Sequence, residues 1–241
     1  MGDAGVKSWR DFWGRSHRIY VNDRHLAVHC RVVADDILSL DPAPDAAVLD
    51  FGCGDALDAG RVAGRVARLY LYDAVPEVRA RLRRRFDGQA RIAIPDDQAL
   101  AGPPMQGTID LIVVNSVLQY VQDDEFRRLL ALWRGLLKPG GRLVLADVIP
   151  PGDTLVPDTI GLLRFAWHEG FFLAAVAGLA ATFFSDYRRL RQKLGLKVYG
   201  EEEMLKRLAD AGFAAERRRP NFGFNQLRMT FVARPIPGTA R

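Results

Sequence analysis

Acids, glycines and a cysteine crowd the stretch VLDFGCGDALDAG, residues 48–60. An apolar run closes on Asp50, Gly52 and Gly54 flank Cys53, and Asp55 follows. Glycine reaches backbone angles that other residues avoid and has no side chain in the way, so a ligand can come close to main-chain amides at such a turn. A second apolar run, Arg68–Tyr72, ends at Asp73, which stands 21 residues after Gly52. A carboxylate at the end of the second strand of a parallel sheet can accept hydrogen bonds from both hydroxyls of a ribose. Glycine turn plus terminal acid, each after an apolar run, points to a nucleoside ligand.

The turn also discriminates between nucleosides. A dinucleotide site calls for a third glycine, which lets helix and strand pack closely beside a pyrophosphate; here that position is Leu57. Asp50 and Asp55 would face the pyrophosphate with like charge. S-Adenosylmethionine has no phosphate and carries a sulfonium and an ammonium group, so an acidic turn suits it better. Cys53 reads as a small filler whose backbone matters more than its thiol.

These residues need elements to hold them. From 46 to 149, short apolar runs (Ala47–Phe51, Arg68–Tyr72, Ala90–Ile94, Ile109–Val114 and Arg142–Val148) alternate with helical stretches to about Ala67, over Pro76–Phe86 and over Asp123–Leu137. That alternation predicts a doubly wound α/β fold, a mostly parallel sheet with helices on both faces. Such sheets bind ligands beyond the carboxyl ends of their strands, where strand order reverses. Residues 9–40 have helical spacing, stopped by Asp41-Pro-Ala-Pro44. After a helical block at 150–199, the alternation resumes with helix Glu201–Ala211 and strands Phe213–Arg219 and Gln226–Arg234.

Taken together, VLDFGCGDA, LYLYDA, IDLIVVNSVLQYV and LLKPGGRLVLADV resemble the successive motifs of class I S-adenosylmethionine-dependent methyltransferases. The resemblance spans about residues 46–149 plus the closing helix and two strands. It implies a Rossmann-like sheet of seven strands with the last antiparallel, S-adenosylmethionine as cofactor, and methyl transfer as the activity. Carried over by motif, the turn Asp50, Gly52, Cys53 and Gly54 surrounds the methionine part. Asp73 takes the ribose, with Ala74 beside the adenine. Asp97 or Asp96 meets the adenine amine, and Asn115 with Ser116 faces the methyl group. One departure is Ala56, which stands where the family often has a third glycine. The whole chain, 1–241, reads as one domain with an N-terminal helical cap (1–44) and a helical insertion after strand five (150–199).

The acceptor half is less explicit. Tyr20, His25 and His29 share one helical neighbourhood, in a region that closes over the site in the family. If a general base is needed, His25, His29 and His168 are the candidates. Tyr20, Phe165, Trp167 and Phe172 are candidate acceptor contacts. The charge-free run 171–184 falls short of the roughly 20 residues that span a bilayer, and its alanine side lacks the polar face of an interfacial helix. It therefore reads as a buried or substrate-covering helix. Arg188, Arg189, Arg191 and Lys193 keep peripheral membrane contact open. A small acceptor with an apolar part, such as a lipid, quinone or polyketide, is the expectation.

Composition narrows the rest. A net charge of +5 over 241 residues is spread along the chain, so the arginines read as solvated surface rather than a nucleic-acid footprint. Arg79 to Arg85, the densest run, is expected to be such a solvent face. Two cysteines without metal spacing exclude a disulfide framework and favour no metal site. With no apolar leader at the N-terminus, a cytoplasmic location is expected. Two other readings stay open: a non-catalytic protein of the same fold that binds cofactor or a partner, and a dinucleotide-dependent oxidoreductase. Leu57 and Lys138-Pro-Gly-Gly141 argue against the second.

Overall fold

The computed structural model describes residues 23–152, 163, 166, 167, 169 and 195–238. Helix α1 (Asp23–Leu38) buries Val28, Ala34 and Ile37 and stops ahead of Pro42. Then follow β1 (Ala47–Phe51), α2 (Ala59–Ala63), β2 (Arg68–Tyr72), α3 (Pro76–Arg85), β3 (Ile92–Ala93), α4 (Asp97–Ala101) and β4 (Ile109–Asn115). Next come α5 (Asp123–Leu136), β5 (Leu137–Val148), α6 (Glu201–Asp210), β6 (Phe213–Arg218) and β7 (Met229–Pro235).

The seven strands form one sheet ordered β3-β2-β1-β4-β5-β7-β6. β1 through β5 pair in parallel, whereas β7 runs antiparallel to both neighbours. Strand residues alternate between two cores, as a period of two requires. Val48, Leu71, Leu111, Val113 and Val144 face α1, α2 and α3. Leu49, Phe51, Ile112, Val114, Leu143 and Leu145 face α5 and α6 through Phe126, Trp133 and Met204. Both faces are covered, which is why β4 is apolar on both sides over Leu111–Val114. Strand order reverses between β1 and β4, so the carboxyl ends of these two strands flank the crevice.

Three elements differ from the sequence reading. The helix after the glycine turn is only α2, because residues 52–58 are spent on turns. The third strand shrinks to two residues at the sheet edge. β5 begins before the Lys138–Gly141 element: Leu137 pairs with Ile109 and Arg142 with Leu111, so the intervening residues bulge out, with Gly140 at φ 81°.

The block 150–199 lies mostly outside the described residues. Its ends meet, since Tyr199 N–H donates to the Ile149 carbonyl at 2.9 Å beside the end of β5. Leu163 and Ala166 pack on Val28 and Val32 of α1, and Glu169 pairs with Arg31 at 2.6 Å. Among the described residues, no helix is long and apolar enough to cross a membrane.

Candidate functional site

β1 and β2 end in register, with Phe51 opposite Tyr72. The glycine turn therefore lies directly beside Asp73. Gly52 and Cys53 donate their N–H groups to the Tyr72 carbonyl at 2.7 and 3.1 Å. Gly54 N–H donates to Asp73 Oδ2 at 3.2 Å and Val75 N–H to Asp73 Oδ1 at 2.9 Å. The sequence reading had the turn offering its amides to a ligand. Instead they tie the turn to β2 and fix the Asp73 carboxylate. A phosphate, which wants a nest of free amides, finds none at these three positions.

Backbone geometry explains the glycines. Gly52 has φ 79°, and a Cβ there would sit 2.3 Å from a methyl of Val117, a residue of the loop after β4. A side chain at 52 would thus strike Val117 before it reached a ligand. Gly54 has φ 57° with open space around it. Ala56 also holds a left-handed φ of 44°, so alanine fills the glycine-like position at the cost of some strain.

A cavity of about 240 Å³ opens over these strand ends. Asp50, Gly52, Cys53, Gly54, Asp73, Ala74, Asn115 and Ser116 all line it. Phe51, Tyr72, Val117, Tyr120, Val121 and Leu129 add an apolar wall that sequence reasoning missed, and Glu125 adds a third carboxylate. The first turn of α5 carries Asp123, Asp124 and Glu125, which complement its dipole; only the fold turns Glu125 to the cavity. No lysine or arginine is among the described residues of its lining.

Burial shapes the charges. Asp50 is buried and its carboxyl is pushed up to about 7, first by desolvation and then by the Asp73 carboxylate. Burial raises Asp73 too, against the two N–H donors that favour its charged form. The Cys53 thiol goes well above its ordinary value through burial and three nearby acids, so it stays protonated. His29 also lines the cavity, and burial with the neighbouring His25 pushes it down to about 4. The Asn115 Oδ1 atom is buried and accepts no hydrogen bond among the described residues.

Other expected site residues fall elsewhere. His25 is buried one helical turn from His29 and is not among the lining residues. Asp97 is off the lining as well: its Oδ1 accepts from the Tyr72 hydroxyl at 2.7 Å and pairs with Arg79 at 3.2 Å. Asp96 is the N-cap of α4, accepting from Ala99 N–H. Trp167 is 69% exposed and does not line the cavity, because helical spacing turns it out when Ala166 and Leu163 face α1. Tyr20, Phe165, His168 and Phe172 lie outside the described residues. Arg79 corrects the reading of its run as a solvent face. It is 6% exposed, donates to the Asp73 carbonyl at 2.6 Å and lies over the Tyr72 ring.

Ser116 and Asp147 close the edge on the other side. Both are non-glycine residues with left-handed backbones, φ 57° and 58°, a conformation costing on the order of 1–3 kcal/mol each. Asp147 sits where the pairing of β5 with β7 shifts register, a bulge that bends the strand end.

A seven-stranded sheet of this order, with a glycine turn after β1 and an acid after β2, is the class I methyltransferase fold. The comparisons agree. Residues 48–141 match the family model described as a methyltransferase domain. Nodulation protein S of Rhizobium tropici is 36% identical over 114 residues, 46% of this chain and 47% of that protein. The solved DhpI complex with S-adenosylhomocysteine superposes with TM-score 0.59 at 17% identity, covering 95% of each chain. A Burkholderia thailandensis structure, 1,6-didemethyltoxoflavin-N1-methyltransferase with its substrate and S-adenosylhomocysteine, gives 0.54 at 18% identity, covering 86% of this chain and 78% of that one. The chain spans about half the length of the curated relatives it matches first. Over residues 48–141 it is similar to methyltransferase domains, and its fold is that of the class I S-adenosylmethionine-dependent methyltransferases. S-Adenosylmethionine is the cofactor of that class, and the lining fits it: the Asp73 carboxylate held by two N–H donors, the orphaned Asn115 oxygen and, among the described residues, no lysine or arginine.

Proposed function

We propose that the protein transfers a methyl group from S-adenosylmethionine to a small acceptor with a sizeable apolar part. The observation that carries this reading is a cavity at the β1–β4 crevice whose acidic and basic lining side chains, among the described residues, are carboxylates apart from the neutral His29. When bound, the cofactor supplies a sulfonium-activated methyl group open to in-line attack. Asp73, its two oxygens already oriented by Gly54 and Val75, accepts the ribose hydroxyls. Asp50 faces the ammonium, and Asn115 Oδ1 accepts a further donor. The Phe51, Val117, Tyr120, Val121 and Leu129 wall excludes water and gives an apolar acceptor surface to bury, at about 25 cal/mol per Å². The Burkholderia structure, solved with bound 1,6-didemethyltoxoflavin, supports the small-molecule class.

Isothermal titration tests it. S-Adenosylhomocysteine should bind and NAD should not. Asp73→Ala should cost about 1–3 kcal/mol of that affinity, the worth of charge-assisted hydrogen bonds. Unchanged affinity in the variant removes Asp73 from the ribose, and absence of binding in the parent protein removes the cofactor site.

A further inference from the structure

β4 and β5 run side by side with Asn115 opposite Ala146, so the next residues, Ser116 and Asp147, are neighbours at the carboxyl edge. The Ser116 hydroxyl donates to Asp147 Oδ2 at 2.6 Å, and its N–H donates to the Ala146 carbonyl at 3.2 Å. Ser116 lines the cavity, and half-buried Asp147 stands behind it. Both backbones are held in the left-handed region, which places this hydroxyl and this carboxylate where ordinary strand ends would not.

The direction of the bound cofactor follows from the sheet. Ribose at the end of β2 and the glycine turn at the end of β1 make the ligand run from β2 across β1 towards β4. Neighbouring strands lie about 4.8 Å apart, so the end of β4 is about 10 Å from that of β2, the reach from ribose to the methionine part. Ser116 is therefore on the sulfur side, beside the point where β5 leads into the 150–199 block.

Building on the methyl-transfer reading, we propose that Ser116 and Asp147 are the proton-accepting pair for the acceptor, with Ser116 in contact and Asp147 as the positioning and receiving carboxylate. The lone pair of the acceptor's heteroatom forms the new bond to the methyl carbon, and the electrons of the carbon–sulfur bond return to sulfur. The heteroatom's proton passes to Ser116 Oγ as the hydroxyl's own proton passes to Asp147 Oδ2. Charge balances within the site, and no further reactant enters.

The test needs no acceptor. Sinefungin carries an ammonium-bearing carbon where S-adenosylmethionine carries its methylated sulfur, so its N–H groups probe the position facing the acceptor. The full chain is titrated with S-adenosylhomocysteine and with sinefungin, as parent, Ser116→Ala, Asp147→Asn and the double variant, each checked by circular dichroism. Both single variants should keep S-adenosylhomocysteine affinity within about threefold. Sinefungin affinity should fall about tenfold, the scale of one charge-assisted hydrogen bond, with the double variant no worse than either single one. Equal losses for both ligands, or no loss for either, overturn the pair. Should one variant not fold, the other decides by the same comparison. A parent protein that binds neither ligand overturns the cofactor reading instead.

Discussion

Asp50 is the residue whose chemistry depends most on what occupies the cavity. Its carboxyl, ordinarily near 3.8, is raised to about 7 by burial and by Asp73. The ligand-free folded chain therefore holds a proton that the unfolded chain gives up above about pH 4. This group makes stability fall as pH rises from about 4 to about 7. An ammonium placed against it favours the charged form, so ligand binding expels the proton. Affinity for S-adenosylhomocysteine should rise up to about tenfold per pH unit between pH 5 and 7, then level off. Asp50→Asn should flatten that slope, which titration across the range reads directly. His29, neutral above about 4, adds nothing in this window. A parent profile as flat as that of the variant would mean Asp50 does not face the ammonium.

At the scale of elements, one buried arginine joins three of them. Arg79 of α3 donates to the Asp73 carbonyl at the end of β2 and pairs with Asp97 at the start of α4. The Tyr72 ring lies under its guanidinium and the Tyr72 hydroxyl donates to the same Asp97. Tyr72 and Asp73 both line the cavity, so the arginine braces from behind the end proposed for the ribose. Asp97 is largely exposed, which reduces the energy of the ion pair; the desolvated bond to the carbonyl matters more. Arg79→Ala should lower stability by about 1–3 kcal/mol in urea unfolding and weaken S-adenosylhomocysteine about tenfold. Arg79→Lys should restore only part of this, because an ammonium cannot reproduce the planar fork. Arg84, exposed on the same helix, is the control. Equal behaviour of Arg79→Ala and Arg84→Ala would sink the bracing role.

For the molecule as a whole, the cavity is built where β1, β2 and β4 end and where α1 folds over through His29 and Val33. A ligand there bridges both halves of the sheet and binds only the folded chain. At a hundredfold excess over its dissociation constant, S-adenosylhomocysteine should add about 2.7 kcal/mol, or roughly 5–10 °C in melting temperature for a chain of this size. Differential scanning fluorimetry measures it. NAD at the same concentration should give no shift, and Asp73→Ala should shrink the shift given by S-adenosylhomocysteine. A melting temperature indifferent to S-adenosylhomocysteine would mean that the cavity holds something else.

Much of this was legible in the residues alone. Apolar runs of strand length alternating with helical spacing require a parallel sheet covered on both faces, and parallel strands all end at one edge. Asp50, Gly52, Gly54, Asp73, Asn115 and Ser116, each at or just past a run's end, had to converge there. Other features depend on contacts between segments far apart in sequence. Gly52 is constrained by Val117, a neighbour that only the β1–β4 pairing supplies. Arg79 looked like one more solvated arginine until α3 docked and turned it inward to the Asp73 carbonyl. Asp97 matched the family position by spacing, but its partners Tyr72 and Arg79 come from two other elements. Asp147 gave no sign in the sequence, since a left-handed bulge at the end of β5 arises from pairing with β7 and from the hydroxyl of Ser116. Local periodicity and strand-end chemistry are carried by the chain itself; which side chains become buried, strained or paired depends on tertiary packing.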